Sequence, residues 1–311
     1  MITVYHDSDL SEEERRARIY DGHLFVFTPS NAARALCDFT EELIEDAFGG
    51  QDPRKAQYDM SVEDFVAIVA PLQPRFIHHP KTKELIVDLL NEVACDPEKT
   101  YFDVPRMRVS TSSGYLTSGV GYQLHPHRDN WYSAPPSQLN WWLPIYPIGS
   151  DSTVAFHPRY FRQGVKNGSR GFNYYEWNSE GRKNAASQIH EDTRNQPKAE
   201  EELELADQDV RLVPKRAGIM LFSGAHLHST VPNTSGLTRF SIDFRTVNYD
   251  DVVAHRGAPN QDWEFTGTTL RDLMRCTDLA HLPEEIIEAY DKGSKPEGGT
   301  LIYRPADAPV R

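Results

Sequence analysis

The sequence predicts a mainly β core with flanking helices, and two observations lead to this prediction. Before about Val104 the apolar residues recur at helical spacing, whereas after it the chain changes to short extended runs separated by Gly, Ser and Pro. At 311 residues the chain exceeds the usual domain length, but barrel and sandwich folds often reach this size as one unit. We therefore expect a single domain over 1–311, with a mainly helical part at 1–100, the β core at 101–250 and a C-terminal extension at 251–311.

Three helices are predicted in the N-terminal part, and each combines apolar residues at helical spacing with a boundary signal. The first follows Ser30 and ends at Gly49, the second starts at Ser61, and the third covers roughly 85–93. A further helical segment is predicted near 283–290. Because these segments are amphipathic, we expect them to pack against the β core.

Six extended runs are predicted in the core, and they share β-branched or aromatic residues between turn signals: 105–112, 119–127, 137–148, 152–158, 219–224 and 239–247. Between 162 and 209 the chain is polar and weakly periodic. We expect a surface insertion there, and a lid over a binding site stays open as the alternative.

Composition narrows the class of partner. A formal net charge of -13 at pH 7 repels phosphate backbones, so nucleic acid is not expected to bind. The N-terminus lacks an apolar segment behind a basic start, and no apolar run is long enough to span a membrane, so we expect no membrane association. Three scattered cysteines fit a reducing cytoplasm. A small-molecule substrate is the expected partner, and monomer and homodimer both stay open.

Candidate metal ligands stand out in two segments of the β core. His127 and Asp129 are two residues apart, which places both side chains on one face of an extended strand. The pair is a weak signal by itself, and His228 in the segment 218–245 strengthens it. Two histidines and one carboxylate on one side of an ion form the facial triad of non-haem Fe(II) oxygenases, which leaves positions open for other ligands.

A candidate anion-binding residue follows His228. Arg239 and Ser241 share one face of a predicted strand, while Phe240 and Phe244 take the other. An apolar face toward helices and a polar face toward a lumen are typical of a barrel with an internal site. A guanidinium can bind a carboxylate bidentately, and a serine hydroxyl can add a bond. The alternative is a structural arginine paired with Asp243.

These motifs together resemble the phytanoyl-CoA dioxygenase-like branch of the Fe(II)/2-oxoglutarate oxygenases. The similarity consists of His-x-Asp, a distal His and HSTVPNTSGLTR after LFSGAHL, and it runs from about residue 102 to 247. It implies a double-stranded β-helix, a jelly-roll or cupin-like barrel, in which His127, Asp129 and His228 ligate iron. The segment 152–161 departs from the Pro-Gly-Ser-His turn that relatives carry there.

The resemblance also implies a cofactor site and an activity. Arg239, with help from Ser241 and Thr230, would bind the distal carboxylate of 2-oxoglutarate, and Asn140 is a further candidate. The expected reaction uses Fe(II), 2-oxoglutarate and O2 to hydroxylate an aliphatic C–H bond of a small polar metabolite, amino-acid-derived or a natural-product intermediate, releasing succinate and CO2. Asp129 disfavours halogenation, because related halogenases have Gly or Ala there.

Several alternatives stay open at this point. Desaturation, epimerisation and cyclisation begin with the same hydrogen abstraction. A cupin-like hydrolase or isomerase could use the same ligands for Zn²⁺ or Mn²⁺, and a non-catalytic small-molecule binding protein is a third class. His125 and His226 share strand faces with the ligand histidines, and we expect them to be pocket residues.

Candidate substrate residues are the aromatic and cationic side chains near the metal segment, the name used here for residues 127–132. Trp131 and Tyr132 would form an aromatic wall, and Arg128 would point a cation outward near the mouth of the site. Trp142 shares a strand face with Asn140 and would reach 2-oxoglutarate or substrate, although a core position is the leading interpretation for a Trp.

Overall fold

The structure is a computed structural model that describes residues 2–182, 184–205 and 209–293. Its α-helices, in chain order, are α1 (Glu12–Tyr20), α2 (Asn31–Phe48), α3 (Val62–His78), α4 (Pro80–Glu92), α5 (Tyr174–Glu176), α6 (Tyr249–Val253) and α7 (Glu284–Tyr290). Its β-strands are β1 (Val4–His6), β2 (Leu24–Phe27), β3 (Thr100–Phe102), β4 (Arg106–Ser110), β5 (Leu139–Pro144), β6 (Val154–Phe156), β7 (Val210–Leu212), β8 (Ile219–Ser223), β9 (His228–Thr230), β10 (Arg239–Asn248) and β11 (Met274–Arg275).

The predicted helices form where their boundary signals lie. The Ser30 hydroxyl accepts a hydrogen bond from Ala33 N at 3.2 Å and caps α2, which ends where Gly49 takes a left-handed conformation with φ of 60°. Ser61 caps α3 in the same way by accepting from Asp64 N at 3.1 Å. These predictions, together with that of α4 and α7, are confirmed.

Strand β10 is a central strand of the larger sheet and pairs with β3, β4 and β5. That sheet has eight strands in the order β1-β2-β8-β5-β10-β3-β11, with β4 paired to the first half of β10. The smaller sheet has the order β7-β6-β9. A β core with flanking helices is thus confirmed. Hydrogen bonds join the strands among the described residues into two separate sheets, so the closed double-stranded β-helix stays a prediction.

The two faces of β10 have opposite character, as the alternation of its residues predicts. Phe240, Ile242 and Phe244 are fully buried in the core that α2, α3 and α4 share with the larger sheet. On the inner face, Trp142 of β5 belongs to a cluster that includes Phe156 of the smaller sheet. The sheets therefore pack face to face, and the polar face of β10 lies between them.

One prediction about local structure is wrong, and one feature was not predicted. The N-terminal part is mainly helical, as expected, but it also supplies the short strands β1 and β2 to the larger sheet. The run 119–127 is not a strand: it starts with the 3-10 helix Gly119–Gly121, and His127 makes only an isolated bridge to His228. Gly119 has a φ of 57°, a left-handed conformation that an extended strand does not contain.

The insertion and the C-terminal extension both pack onto the core. Gly119 N donates to Asp192 Oδ2 at 3.0 Å, and Ser118 Oγ donates to Ile189 O at 2.7 Å, which fixes the insertion to the chain before the metal segment. In the extension, β11 pairs with β3 and α7 packs beside it. Part of the predicted extension, 294–311, lies outside the described residues.

Two further observations concern the expectations about membrane association and about the redox state of the cysteines. Among the described residues, no helix has the length and apolar character that a membrane span requires. Cys37, Cys95 and Cys276 are buried and free. The cytoplasmic location and the single-domain organisation stay predictions.

Candidate active site

Three ligand-type side chains meet between the sheets, and they are the three that the sequence singles out. One donor atom each of His127, Asp129 and His228 lies within 4.8 Å of the others, and all three residues are buried. Nε2 of His127 lies 3.5 Å from Oδ1 of Asp129, and Nε2 of His228 lies 3.7 Å from the same oxygen. Ligand atoms about 2.1 Å from one ion lie roughly 3 to 3.5 Å apart, so the spacing suits a single cation.

The backbone brings these residues together before any side-chain contact is considered. His127 N donates to His228 O at 2.9 Å, and His228 N donates to His127 O at 2.9 Å. Arg128 is extended, with φ of -114° and ψ of 143°, so the side chains on either side of it point the same way. Asp129 then begins the 3-10 helix Asp129–Tyr132, where the sequence predicted a continuing strand.

Each ligand histidine is oriented by a backbone carbonyl two residues earlier. Nδ1 of His127 donates to His125 O at 2.7 Å, and Nδ1 of His228 donates to His226 O at 2.9 Å. With the proton on Nδ1, the lone pair of Nε2 is free to bind a metal. Burial lowers the pKa of His228 to about 3, so this imidazole is neutral near pH 7, as a metal ligand must be.

The carboxylate of Asp129 is oriented by two donors that bind one of its oxygens. Gln138 Nε2 and Arg245 Nε each donate to Oδ2 at 3.2 Å, and Oδ1 faces the histidines. Burial alone would raise the pKa of Asp129, but the charge of Arg245 and the contacts with both histidines lower it well below its usual value. The donor set therefore fits Fe(II), for which two imidazoles and one carboxylate form the facial triad.

Arg239 is buried on the inner face of β10 and has no carboxylate partner. Its Nη1 donates to Ser152 O at 3.0 Å and Thr153 O at 3.3 Å, while its Nε has no hydrogen-bond partner. The alternative of a pair with Asp243 is wrong, because that carboxylate binds other arginines and, among the described residues, no ion pair includes Arg239. Burial lowers the pKa of Arg239 to about 10.

Other groups near Arg239 link it to the triad. The Ser241 hydroxyl is buried without a hydrogen-bond partner. The Arg239 guanidinium lies 5.5 Å from the ring centroid of Trp142, which belongs to the same cluster as Phe222. The ring of Phe222 is 5.2 Å from that of His228, so one apolar cluster contacts both the unpaired cation and a metal ligand.

The remaining predicted cofactor residues lie nearby. Asn140 is buried and its Oδ1 accepts from Gln138 Nε2 at 2.9 Å, which places it beside the orienting group of Asp129. Thr230 ends β9, opposite Val154 of β6, and is half-buried. Their part in binding 2-oxoglutarate stays a prediction.

The candidate substrate residues divide into two groups. Tyr132 lies against His127 at 5.6 Å between ring centroids, and the Arg239 guanidinium lies over the ring of Trp142, so each contacts another predicted site residue. Arg128 and Trp131 form the second group. Arg128 is fully buried and bonded to Asp262 and to backbone carbonyls, and Trp131 is fully buried with Nε1 donating to the same aspartate at 2.9 Å.

The expectation of an outward cation at Arg128 and an aromatic wall at Trp131 is therefore wrong. Arg128 needs its buried counter-charge, and Trp131 packs in an apolar cluster with Tyr160 and Leu227. The neighbouring histidines contribute in another way: His125 is exposed and His226 is fully buried, and each offers its backbone carbonyl to a ligand histidine.

Sequence reasoning missed the residues that orient Asp129. Arg245 lies on the same face of β10 as Arg239 and Ser241, because an even number of residues separates them. That alternation was the available signal. Gln138 could not be found from spacing, because it reaches Asp129 through tertiary packing. The arginines of β4, Arg106 and Arg108, lie on the same face of the sheet as Ser241 and Asp243, and the sequence indicated only that they belong to a strand.

Comparison with solved structures finds weak similarity to non-haem enzymes. EvdO2 from Micromonospora carbonacea var. aurantiaca aligns with 12% identity and a TM-score of 0.36 over 56% of this chain and 62% of its own, less than two thirds of that protein. The non-heme monooxygenase ThoJ, in its apo form, has 12% identity and a TM-score of 0.36 over 72% and 74%. The non-heme alpha ketoglutarate dependent epimerase SnoN from nogalamycin biosynthesis has 10% identity and a TM-score of 0.39 over 76% and 84%. Similarity at this level does not assign a function. No family model and no curated protein matches the sequence.

Proposed function

We propose that this protein is an Fe(II)- and 2-oxoglutarate-dependent dioxygenase of the phytanoyl-CoA dioxygenase-like branch. One observation carries the proposal: the buried guanidinium of Arg239, which has no ion-pair partner among the described residues, contacts the same aromatic cluster as His228 of the buried triad. A metal triad alone fits several enzyme classes. The unpaired cation of Arg239 also needs an anionic partner, and this anion must reach both Arg239 and the metal site.

The cost of burying an unpaired charge explains why an anion is required. A buried charge is unfavourable unless it is paired and hydrogen-bonded, and Arg239 has only carbonyl partners. The distal carboxylate of 2-oxoglutarate would accept from the free edge of the guanidinium and from the unpartnered Ser241 hydroxyl. The same molecule carries a keto acid that chelates a metal. A cupin-like hydrolase or isomerase would give Arg239 no such role.

The protein's own residues would position the reactants. The triad holds the metal on one side, Arg239 and Ser241 fix the length and direction of the co-substrate, and the apolar cluster around Trp142 excludes water. When bound, Fe(II) and 2-oxoglutarate together with O2 supply an oxidant that removes a substrate hydrogen, with succinate and CO2 as co-products. We propose hydroxylation of an aliphatic C–H bond of a small metabolite as the outcome. Desaturation, epimerisation and cyclisation share the first step.

The test is the affinity of Arg239→Ala for 2-oxoglutarate, followed through the charge-transfer absorption of the anaerobic Fe(II) complex. Removing one partner of a buried charge pair costs roughly 2–5 kcal/mol, so the dissociation constant should rise about 30-fold to several thousand-fold. Arg239→Lys should recover part of this loss, because a point charge lacks the planar fork. The Fe(II) affinity should stay the same.

The matched control is Arg159→Ala, which removes an exposed arginine on the insertion side that pairs with Glu204. It should bind 2-oxoglutarate as the unmodified protein does. An unchanged dissociation constant in Arg239→Ala would overturn the co-substrate assignment and favour a hydrolase or isomerase. Release of succinate by the unmodified protein with iron, ascorbate and 2-oxoglutarate gives an independent measurement.

A further inference from the structure

A row of arginine side chains crosses the inner face of the larger sheet, beginning at Arg239. Arg108 is the register partner of Ser241, and Arg106 is the register partner of Asp243, so both lie on the inner face. The residues that alternate with them on β4, Met107 and Val109, face the helical core. The row thus leads from the proposed 2-oxoglutarate anchor along β4 toward the insertion.

The carboxylates along this row are shared among the arginines. Asp243 binds Arg108 at 2.7 Å and Arg245 at 2.6 Å. Asp103 binds Arg106 at 2.6 Å and lies 3.9 Å from Arg245. Three guanidinium groups therefore share two carboxylates, and the further partner of Arg245, Asp129, is a metal-ligand candidate. Positive charge is in excess on this face even before the insertion is considered.

The insertion adds one more cation, Arg182, at the end of the row. Its guanidinium makes no hydrogen bond or ion pair with any part of the chain that the structure describes, and it lies 5.8 Å from the ring centroid of Tyr174. Arg182 is half-buried, and burial followed by the charge of Arg106 lowers its pKa to about 10. The carboxylate of Asp272 is already engaged, because the Tyr174 hydroxyl donates to it at 2.5 Å.

The backbone around Arg182 is unusual. It follows the π-helix Trp177–Gly181, and its N–H donates to Trp177 O at 3.0 Å. Turns of π-helix are rare and occur often at functional sites. The Arg182 side chain that follows this turn lies over the ring of Tyr174.

Aromatic rings connect the metal triad to the same part of the insertion. Tyr132 lies 5.6 Å from His127, Phe172 lies 5.2 Å from Tyr132, and Trp177 lies 6.0 Å from Phe172, measured between ring centroids. A series of aromatic rings therefore leads from the triad to the π-helix of the insertion. The arginine row ends at the same part of the insertion, where Arg182 lies over Tyr174.

We propose that the substrate is an organic anion whose charged group binds Arg182, with Arg108 in support, while its carbon skeleton lies against Tyr132 and Phe172. This inference rests on the proposed function and names its substrate class. The charges agree with it: 2-oxoglutarate offsets Arg239 and part of the metal charge, and the surplus along the row stays for a second anion. The insertion then supplies specificity as well as cover.

The test measures binding of matched acids and neutral analogues to the anaerobic Fe(II)/2-oxoglutarate complex by calorimetry. The probes are benzoate against benzamide and phenyl phosphate against phenol, and the two acids distinguish a carboxylate from a phosphate preference. At least one acid should bind more tightly than its neutral analogue. Arg182→Gln should weaken that acid by about 10- to 100-fold, the effect of losing one hydrogen-bonded charge. Arg182→Lys should recover part of the loss.

Arg170→Gln is the control, because Arg170 is an exposed arginine of the insertion that pairs with Glu264 at 3.6 Å. It should bind the acids as the unmodified protein does. Equal binding of acid and neutral analogue, no binding of either acid at millimolar concentration, or a preference that persists in Arg182→Gln would each overturn the inference. The charge-transfer absorption reports 2-oxoglutarate in every variant, so loss of that band marks failure of the proposed function instead.

Discussion

The two carboxylate oxygens of Asp129 have different surroundings, and this difference defines the direction of the metal site. Oδ2 accepts from Gln138 and Arg245, so only Oδ1 faces the ligand histidines. A carboxylate held in this way has one fixed orientation, so it loses little conformational entropy when one of its oxygens binds a metal. Removing a group that orients a ligand typically lowers metal affinity by about 10- to 100-fold.

Replacing Arg245 by Gln should therefore weaken Fe(II) binding by about 10- to 100-fold, as for other residues that orient a ligand. The fold should survive, because Asp243 keeps Arg108 and Asp103 keeps Arg106 as partners. Metal titration together with thermal unfolding of the metal-free protein separates the two effects. Arg211→Gln, at an exposed arginine paired with Asp209, is the control, and equal metal affinity in both variants would contradict the orienting role.

His125 and His127 lie two residues apart, and substituting each in turn tests which of them is the metal ligand. His127→Ala should abolish Fe(II) binding and 2-oxoglutarate turnover while leaving the metal-free fold intact. His125→Ala should change either property little, because its side chain is exposed and only its backbone carbonyl contacts His127. Isothermal titration with Fe(II) under anaerobic conditions measures this. Retained iron in the His127 variant would mean that the register of the ligands is wrong.

At the scale of elements, prediction succeeded where local signals decide structure and failed where tertiary pairing does. Helix α2 begins after Ser30 and ends before Gly49, as their residue types predict. The alternation of residues in β10 likewise identified its two faces. β1 and β2 were missed because strands this short are stabilised by pairing, β2 with β8 and β1 with β2, which no local pattern reveals. Run 119–127 was misassigned because Gly119 must fit against the insertion, a contact distant in sequence.

Gly119 should be essential for docking the insertion. A Cβ there would lie 2.4 Å from Ala185 O and 2.5 Å from Gln188 O, both backbone atoms that cannot move aside cheaply. Gly119→Ala should therefore loosen the insertion and increase its cleavage in limited proteolysis, with a loss of stability of about 1–3 kcal/mol.

Gly114→Ala is a matched control for this prediction. Gly114 also has a left-handed conformation, with φ of 74°, but a Cβ there would meet nothing within 4 Å. Its substitution costs only backbone strain, about 1 kcal/mol. Cleavage of the insertion at the same rate in both variants would show that the contact at Gly119 does not hold it.

At the scale of the whole molecule, Asp262 connects three parts of the chain. Its carboxylate accepts from Arg128 and Trp131 of the metal segment and from Val165 N of the insertion, while Asp262 itself lies in the C-terminal extension. The metal segment is thus held from behind by residues distant in sequence. This explains why Arg128 and Trp131, which lie next to ligands, are structural.

Asp262→Ala should lower the free energy of unfolding by about 3–5 kcal/mol, because it leaves the fully buried Arg128 without its counter-charge. Urea denaturation of the metal-free protein measures the loss. Glu264→Ala, two residues away at an exposed pair, should change stability by at most about 0.5 kcal/mol. Similar midpoints for the two variants would refute the structural role.

The candidate site was more predictable than its surroundings. His127, Asp129 and Arg239 could be found because their chemistry depends on residue type and a two-residue period, both visible in sequence. Arg182 could not, because its significance depends on tertiary contacts: within the described part of the chain its guanidinium forms no ion pair, and the Asp272 carboxylate is bound by Tyr174. Charge balance in a buried space is a property of the folded molecule.

The mutual backbone hydrogen bonds of His127 and His228 imply an order of assembly. These ligands are about a hundred residues apart, so the unfolded chain offers no compact chelating peptide, and closing such a loop is entropically costly. The backbone hydrogen bonds themselves hold the two ligand segments together. We therefore expect the folded chain, and not an unfolded peptide, to select among competing divalent ions, and we expect metal uptake and release to proceed without refolding.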